Sequence, residues 1–221
     1  MTEIRRPEPH VPVFPYTGGW GTAAALTDAF AFPWPPCVLP AVNVKHASRD
    51  LLEFEITWRW HGIAAPAIFV SRRLVQRPAG SAIAFHDACF VTKTLPVPHG
   101  FATEMLRRCI PFYRASQIRT IAISAAVMDG RVVWPRFGFS VTAEHGEAVR
   151  TTVRNIVRRK LGRAYDTAVP SFGPDLLALG TPEGIPIGLM ALMEVPSLSL
   201  FLDLEDRRAV RCLQKRGLIA P

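Results

Sequence analysis

Cysteine is scarce and scattered in this chain. Cys37, Cys89, Cys109 and Cys212 stand far apart, with no C-x-x-C pair and no cysteine–histidine cluster. That spacing argues against a zinc site, and 221 residues can bury a core without a disulfide framework. Reduced cysteines fit a cytoplasmic protein. The six histidines show no ligand spacing, so no metal is expected. Neither a G-x-S-x-G elbow nor a P-loop occurs, which weakens hydrolase and NTPase readings. Prolines, not an apolar secretory segment, follow Arg5 and Arg6. The most apolar late stretch, 185–202, is broken by Pro186, Glu194 and Pro196, so no membrane span is expected. Acidic residues are outnumbered, 18 against 26 Lys and Arg, for a net charge of +8. The balance favours an anionic partner: nucleic acid, a phosphorylated cofactor or an acidic protein.

What is present begins with proline. Pro7, Pro9, Pro12 and Pro15, followed by Gly18, Gly19 and Gly21, cannot sustain helix or ladder hydrogen bonds, and predict an extended arm over 1–36. Within it, 22–30 reads as a short helix capped by Thr22. Phe32-Pro33-Trp34-Pro35-Pro36 stops that helix and is expected to cover an apolar groove of the same chain, ahead of the alternative of a contact with another chain. The stretch 51–61 alternates, with Leu52, Phe54, Ile56, Trp58 and Trp60 on one face, which predicts a half-buried strand. A second strand over 67–75 completes a hairpin around 62–66, and a third over 82–94 follows.

That third strand leads to Val97-Pro98-His99-Gly100-Phe101-Ala102-Thr103 and then to a helix with Ala102, Leu106, Cys109, Ile110 and Tyr113 on one face. A strand that ends at a glycine turn and starts a helix leaves the first helical N–H groups free, a setting that suits phosphate. Pro111 lies inside the helix and is expected to kink or end it. A β-branched strand over 118–124, a short helix over 131–137 and a strand from Phe139 come next. The amphipathic helix over 147–161 carries Val149, Val153, Ile156, Val157 and Leu161 on its apolar stripe and stops at Gly162. The last helix is expected to use Asp203 as its N-cap.

In this order the elements resemble the GNAT acyltransferase superfamily. Gly100-Phe101-Ala102 is similar to the second half of that family's R/Q-x-x-G-x-G/A turn. Trp134-Pro135-Arg136-Phe137-Gly138-Phe139 is similar to its aromatic-x-x-x-G-F segment. The resemblance implies an α/β fold: a mixed, mostly antiparallel sheet with splayed central strands, flanked by helices, over 37–145. A helical extension over 146–221 would pack on it. It also implies acetyl-CoA as cofactor and an amine, on a small molecule or a protein, as acceptor. Backbone donors for the pyrophosphate would come from His99, Gly100, Phe101, Ala102 and Thr103. The edge of Phe90, Val91 and Thr92 would bond the pantetheine arm, and Trp134 would stand where many members carry a tyrosine acid. Acyl transfer to an amine also needs a base, for which His86 and Asp87 are the candidates; being strand neighbours, only one can face a given side.

Three residues depart from the family pattern. Val97 replaces the R/Q position, Pro98 has no N–H, and the Trp134 indole is a donor but not a usable acid near neutral pH. They motivate a second expectation, a GNAT-shaped adaptor without turnover. Arg150, Arg154, Arg158 and Arg159 on the basic helix would meet an acidic protein or nucleic acid, with binding that falls as salt rises.

Overall fold

The computed structural model describes residues 14–15, 17–34, 37, 40–60, 65–78, 80–92, 100–125 and 128–220, with side chains from 130 onward in the last range. Residues 1–13, 16, 35 and 36 of the proline-rich arm, the 61–64 turn, and Val97, Pro98 and His99 lie outside the described residues. The fold is mixed α/β. Its seven strands are ordered β1-β2-β3-β4-β5-β7-β6, and most of the pairings are antiparallel. This is the sheet type the resemblance implies. The chain divides into two compact units, one of Met1–Gly80 with Asp87–Ser116, the other of Ser81–His86 with Gln117–Pro221.

In the first unit, β1 (Ala41–Ala47), β2 (Leu51–Arg59) and β3 (Pro66–Gln76) form an antiparallel meander. The alternation of β2 sets its register: Leu52, Phe54, Ile56 and Trp58 are all fully buried, as expected. β1 falls in a stretch that carries only a weak strand signal. Its pairing with β2 includes an ion pair between Lys45 and Glu55 at 2.5 Å. Two helices, α1 (Ala23–Phe30) and α2 (Phe101–Ala115), contribute to the core of this unit. Phe30 meets Phe112 at a ring-centroid distance of 5.4 Å and Phe54 at 5.0 Å. Phe32 is buried between Trp58 and Phe101, and the Trp58 Nε1–H donates to Phe32 O at 2.8 Å. The Phe32-Pro33-Trp34 run therefore covers an apolar surface of its own chain.

Pro111 does not end α2, which continues to Ala115. Cys109, Ile110, Phe112 and Tyr113 flank it and are all buried. Tertiary packing on both sides offsets the one backbone hydrogen bond that a proline removes.

In the second unit, the first part of β4 (Ala82–Val91) runs parallel to β5 (Ile118–Ala125). β7 (Leu198–Asp203) lies antiparallel to β5 and pairs on its other edge with the short β6 (Ser140–Val141). The helices are α3 (Met128–Arg136), α4 (Ala143–Leu161), α5 (Gly173–Ala178), α6 (Ile187–Glu194) and α7 (Arg207–Lys215). α4 begins four residues before the expected start and ends at Gly162, at φ +65°, as expected. The cap of α7 is Asp206, not Asp203; its side chain accepts from the N–H groups of Arg208 and Ala209. Asp203 instead ends β7 and accepts from Glu205 N–H at 2.8 Å. Two acidic residues three apart both fit a capping pattern, and the length of the strand decides between them.

Candidate functional site

The site predicted from sequence lies at the end of β4 and the start of α2. Among the described residues, the β4–β5 ladder ends at the rung His86↔Ile123, while β4 continues through Val91. Gly100 is the N-cap of α2, at φ +97°, where only glycine is free of strain. Among the described residues, and its chain neighbours aside, a Cβ placed there would meet nothing within 4 Å. The cap makes no side-chain hydrogen bond. Glu104 N–H bonds to Gly100 O, which leaves the N–H groups of Phe101, Ala102 and Thr103 without an intrahelical acceptor. Phe101 anchors the turn: its ring is buried at 5.1 Å from Trp58 and 5.6 Å from Phe32.

The residues expected along the strand edge divide. Thr92 is engaged with β3, through its N–H to Ala67 O and its Oγ1–H to Pro66 O, both at 2.8 Å. Successive amides of a strand point to opposite edges, so the Val91 N–H faces away from β3. Phe90 and Val91 expose 58% and 42% of their surface, large values for apolar side chains, and Phe90 stacks on Phe69.

His86 and Asp87 occupy opposite settings. His86 is buried at the last rung of the ladder to β5. Asp87 is exposed and accepts from Arg73 Nε and Nη2 through its two carboxylate oxygens, each at 2.7 Å. Trp134 is buried beside Phe137 and Phe139, with centroids at 6.1 and 5.6 Å.

Sequence reasoning missed Arg72. Its side chain is fully buried on the same face of β3 as Val70 and Leu74. Nη1 donates to Ser71 O and Ala88 O, each at 2.7 Å, and Nη2 points to Met105 Sδ at 2.9 Å. Three protonated acids surround this cation. Burial pushes the Cys89 thiol up, with Arg72 pulling the other way. Burial takes the Cys109 thiol to about 12 and holds the Tyr113 phenol well above its usual value. The alternation of β3 puts Arg72 on the face of Val70 and Leu74, but nothing in the neighbouring residues identifies the carbonyl of Ala88 that holds it.

The basic helix α4 is less free than its sequence implies. Glu147 takes Arg150 at 2.8 Å and Arg154 at 3.4 Å, and Arg150 holds its carboxyl below the usual range. Arg159 pairs with Glu194 at 2.5 Å and Arg163 with Glu183 at 2.9 Å. Arg158 has no ion pair among the described residues. Among those residues, too, no helix is long and apolar enough to cross a membrane.

No protein-family model and no curated protein matches the chain. Solved structures with partial likeness to the chain include the following. Naa50 of Arabidopsis thaliana, in complex with the bisubstrate analogue CoA-Ac-MVNAL, aligns at 14% identity and TM-score 0.33 over 40% of this chain and 58% of that one. The NatC complex bound to Gag peptide and CoA aligns at 12% identity and TM-score 0.33, with the same coverage of 40% and 58%. An acyltransferase in complex with decanoyl-CoA aligns at 10% and 0.27, over 62% of this chain and 46% of that one. The alignments span less than two thirds of each of those chains.

Proposed function

We propose that this protein is a GNAT-like N-acyltransferase that binds a CoA thioester at the β4–Gly100–α2 turn and passes its acyl group to an amine. The observation that carries this reading is Gly100. A left-handed glycine, with nothing among the described residues within 4 Å of a Cβ there and three helical N–H groups behind it without an intrahelical acceptor, suits a pyrophosphate. The outer edge of β4 past His86, where the Val91 amide faces away from β3, suits the amide-bearing pantetheine arm. The order of the Gly-Phe-Ala and Trp-x-x-x-Gly-Phe motifs supports the same reading.

Asp87 is the better placed of the two candidate bases, because it is exposed while His86 is buried. Its release from Arg73 would free both carboxylate oxygens to accept a proton, directly or through water. CoA, acetyl-CoA and decanoyl-CoA titrated calorimetrically into the protein test the proposal. Binding is expected for all three, with loss of binding in Gly100→Glu, which sets a carboxylate against the pyrophosphate. Absence of heat at millimolar ligand overturns it.

Trp134 favours a second reading, a CoA-binding module without turnover. Its indole is packed into the core and is no acid near neutral pH. Binding of acetyl-CoA without release of free thiol over a panel of amines would support this reading.

A further inference from the structure

A hollow of about 520 Å³ opens among α3, α5, α6 and α7 in the second unit, within the roughly 300–1,000 Å³ range of small-molecule sites. Pro174, Leu177 and Ala178 of α5 and Leu189 of α6 give it apolar walls; Arg136, Cys212 and Arg216 form the rest of the rim. The walls are held by direct backbone contact. A Cβ on Gly188 would lie 1.7 Å from Leu176 O, and one on Gly173 would lie 2.2 Å from Phe139 O. An Arg208–Asp175 ion pair ties α7 to α5. Arg216 Nε and Cys212 Sγ both donate to Arg136 O, at 2.6 and 3.3 Å, which fixes the end of α3 against α7.

The charge at this rim is one-sided. No Asp or Glu lines the hollow. Among the described residues the Arg136 guanidinium has no ion pair or hydrogen bond. Arg216 keeps both Nη groups available while it lies over the Phe137 ring at 5.5 Å. Two arginines lining one apolar hollow, with no acidic residue among its described lining, match a headgroup that accepts planar bidentate bonds on a body that leaves water.

We infer that this hollow binds an apolar chain or ring that carries a single carboxylate. The apolar body lies along Leu177, Ala178 and Leu189, and the carboxylate sits between Arg136 and Arg216. The site uses none of the residues assigned to the CoA thioester, so it stands whether or not the acyltransferase reading holds.

Calorimetry of the full chain with decanoate, decanol, decyl phosphate and decyltrimethylammonium tests the inference. Decanoate is expected to bind at least about tenfold more tightly than decanol, and the cation not at all. Arg136→Gln should weaken decanoate about tenfold or more with an unchanged melting midpoint, since that side chain makes no described bond. Decanoate should also slow alkylation of Cys212 and leave that of Cys37 unchanged. Gly100→Glu should bind decanoate as the parent does. Equal binding of decanoate and decanol, an unaltered affinity in Arg136→Gln, or no protection of Cys212 overturns the inference. Tighter binding of decyl phosphate overturns the choice of headgroup.

Discussion

Arg72 Nη1 donates to Ala88 O at 2.7 Å, while the next residue, Arg73, holds both carboxylate oxygens of Asp87 from the other face of the sheet. Cys89 lies beside Arg72, so Asp87 and Cys89, two positions apart, meet opposite faces. A regular strand would put them on the same face. The alternation of β4 is therefore broken around Ala88, in the manner of a β-bulge. The break falls directly after the last rung to β5, and a buried guanidinium holds the displaced carbonyl.

Removal of that guanidinium should be severe. Arg72→Ala leaves Ser71 O and Ala88 O without their donor and opens a void beside Met105. A loss of about 2–4 kcal/mol is expected from the unpaired carbonyls and the cavity. Arg72→Lys should rescue little, because one ammonium cannot reproduce a planar fork. Urea denaturation measures both. A loss below about 1 kcal/mol in Arg72→Ala would show that the carbonyls find water instead.

Asp87 offers a cleaner test of chemistry. Its pair with Arg73 is partly exposed, at 32% and 42% of the two side chains, and such pairs contribute less than about 1 kcal/mol. Asp87→Asn should therefore leave the denaturation midpoint nearly unchanged. If Asp87 acts as the base, kcat for amine acetylation should fall about a hundredfold or more with KM for acetyl-CoA unchanged. An unchanged kcat removes Asp87 from the mechanism.

Glycines at contact and glycines at turns should respond differently. Gly188→Ala drives a methyl into Leu176 O and should destabilise the second unit by more than about 3 kcal/mol. Gly162→Ala meets no neighbour and carries only the strain of φ +65°, about 1 kcal/mol. Parallel chemical melts of the two variants check the ordering.

The Cys109 thiol, pushed up to about 12, gives a prediction in alkali. Between its unfolded value near 9 and 12, the unfolded chain binds fewer protons than the folded one, so stability falls as pH rises. The slope approaches about 1.4 kcal/mol per pH unit when the unfolded thiol is fully ionised. Cys109→Ala should flatten the decline in melting midpoint between pH 9 and 11 relative to the parent. Part of the slope should remain, because the buried Tyr113 phenol acts in the same sense at higher pH. Identical slopes in the two proteins would refute it.

Much of the fold was legible because a single element carries its own record. The buried face of β2, the stop of α4 at Gly162 and the Gly100 turn could be read from residues at most a few positions apart. β1 was missed: Val42 and Val44 alternate with Asn43 and Lys45, but two apolar positions that are only half-buried are a weak signal, and the strand is secured by the partner edge of β2. Pro111 misled for the converse reason, since its local penalty is outweighed by the rings packed around it. In the candidate site, the start of a helix directly after Gly100 was legible, and α2 does begin at Phe101. The engagement of Thr92 with β3 was invisible, because the pairing of a strand end depends on a partner 26 residues away.

The amino-acid sequence by itself determined where strands and helices run and which face of each is apolar, because periodicity and caps are properties of neighbouring residues. Only the tertiary structure decided which charges meet. Glu194 and Glu183, from later segments, take up Arg159 and Arg163, which the sequence presents as part of one basic run. Arg72 enters the core, and Arg136 and Arg216 come to line one hollow whose described lining includes no acid. The physical reason is range: an ion pair or a cavity joins residues brought together by packing, and no local pattern records who the partner will be.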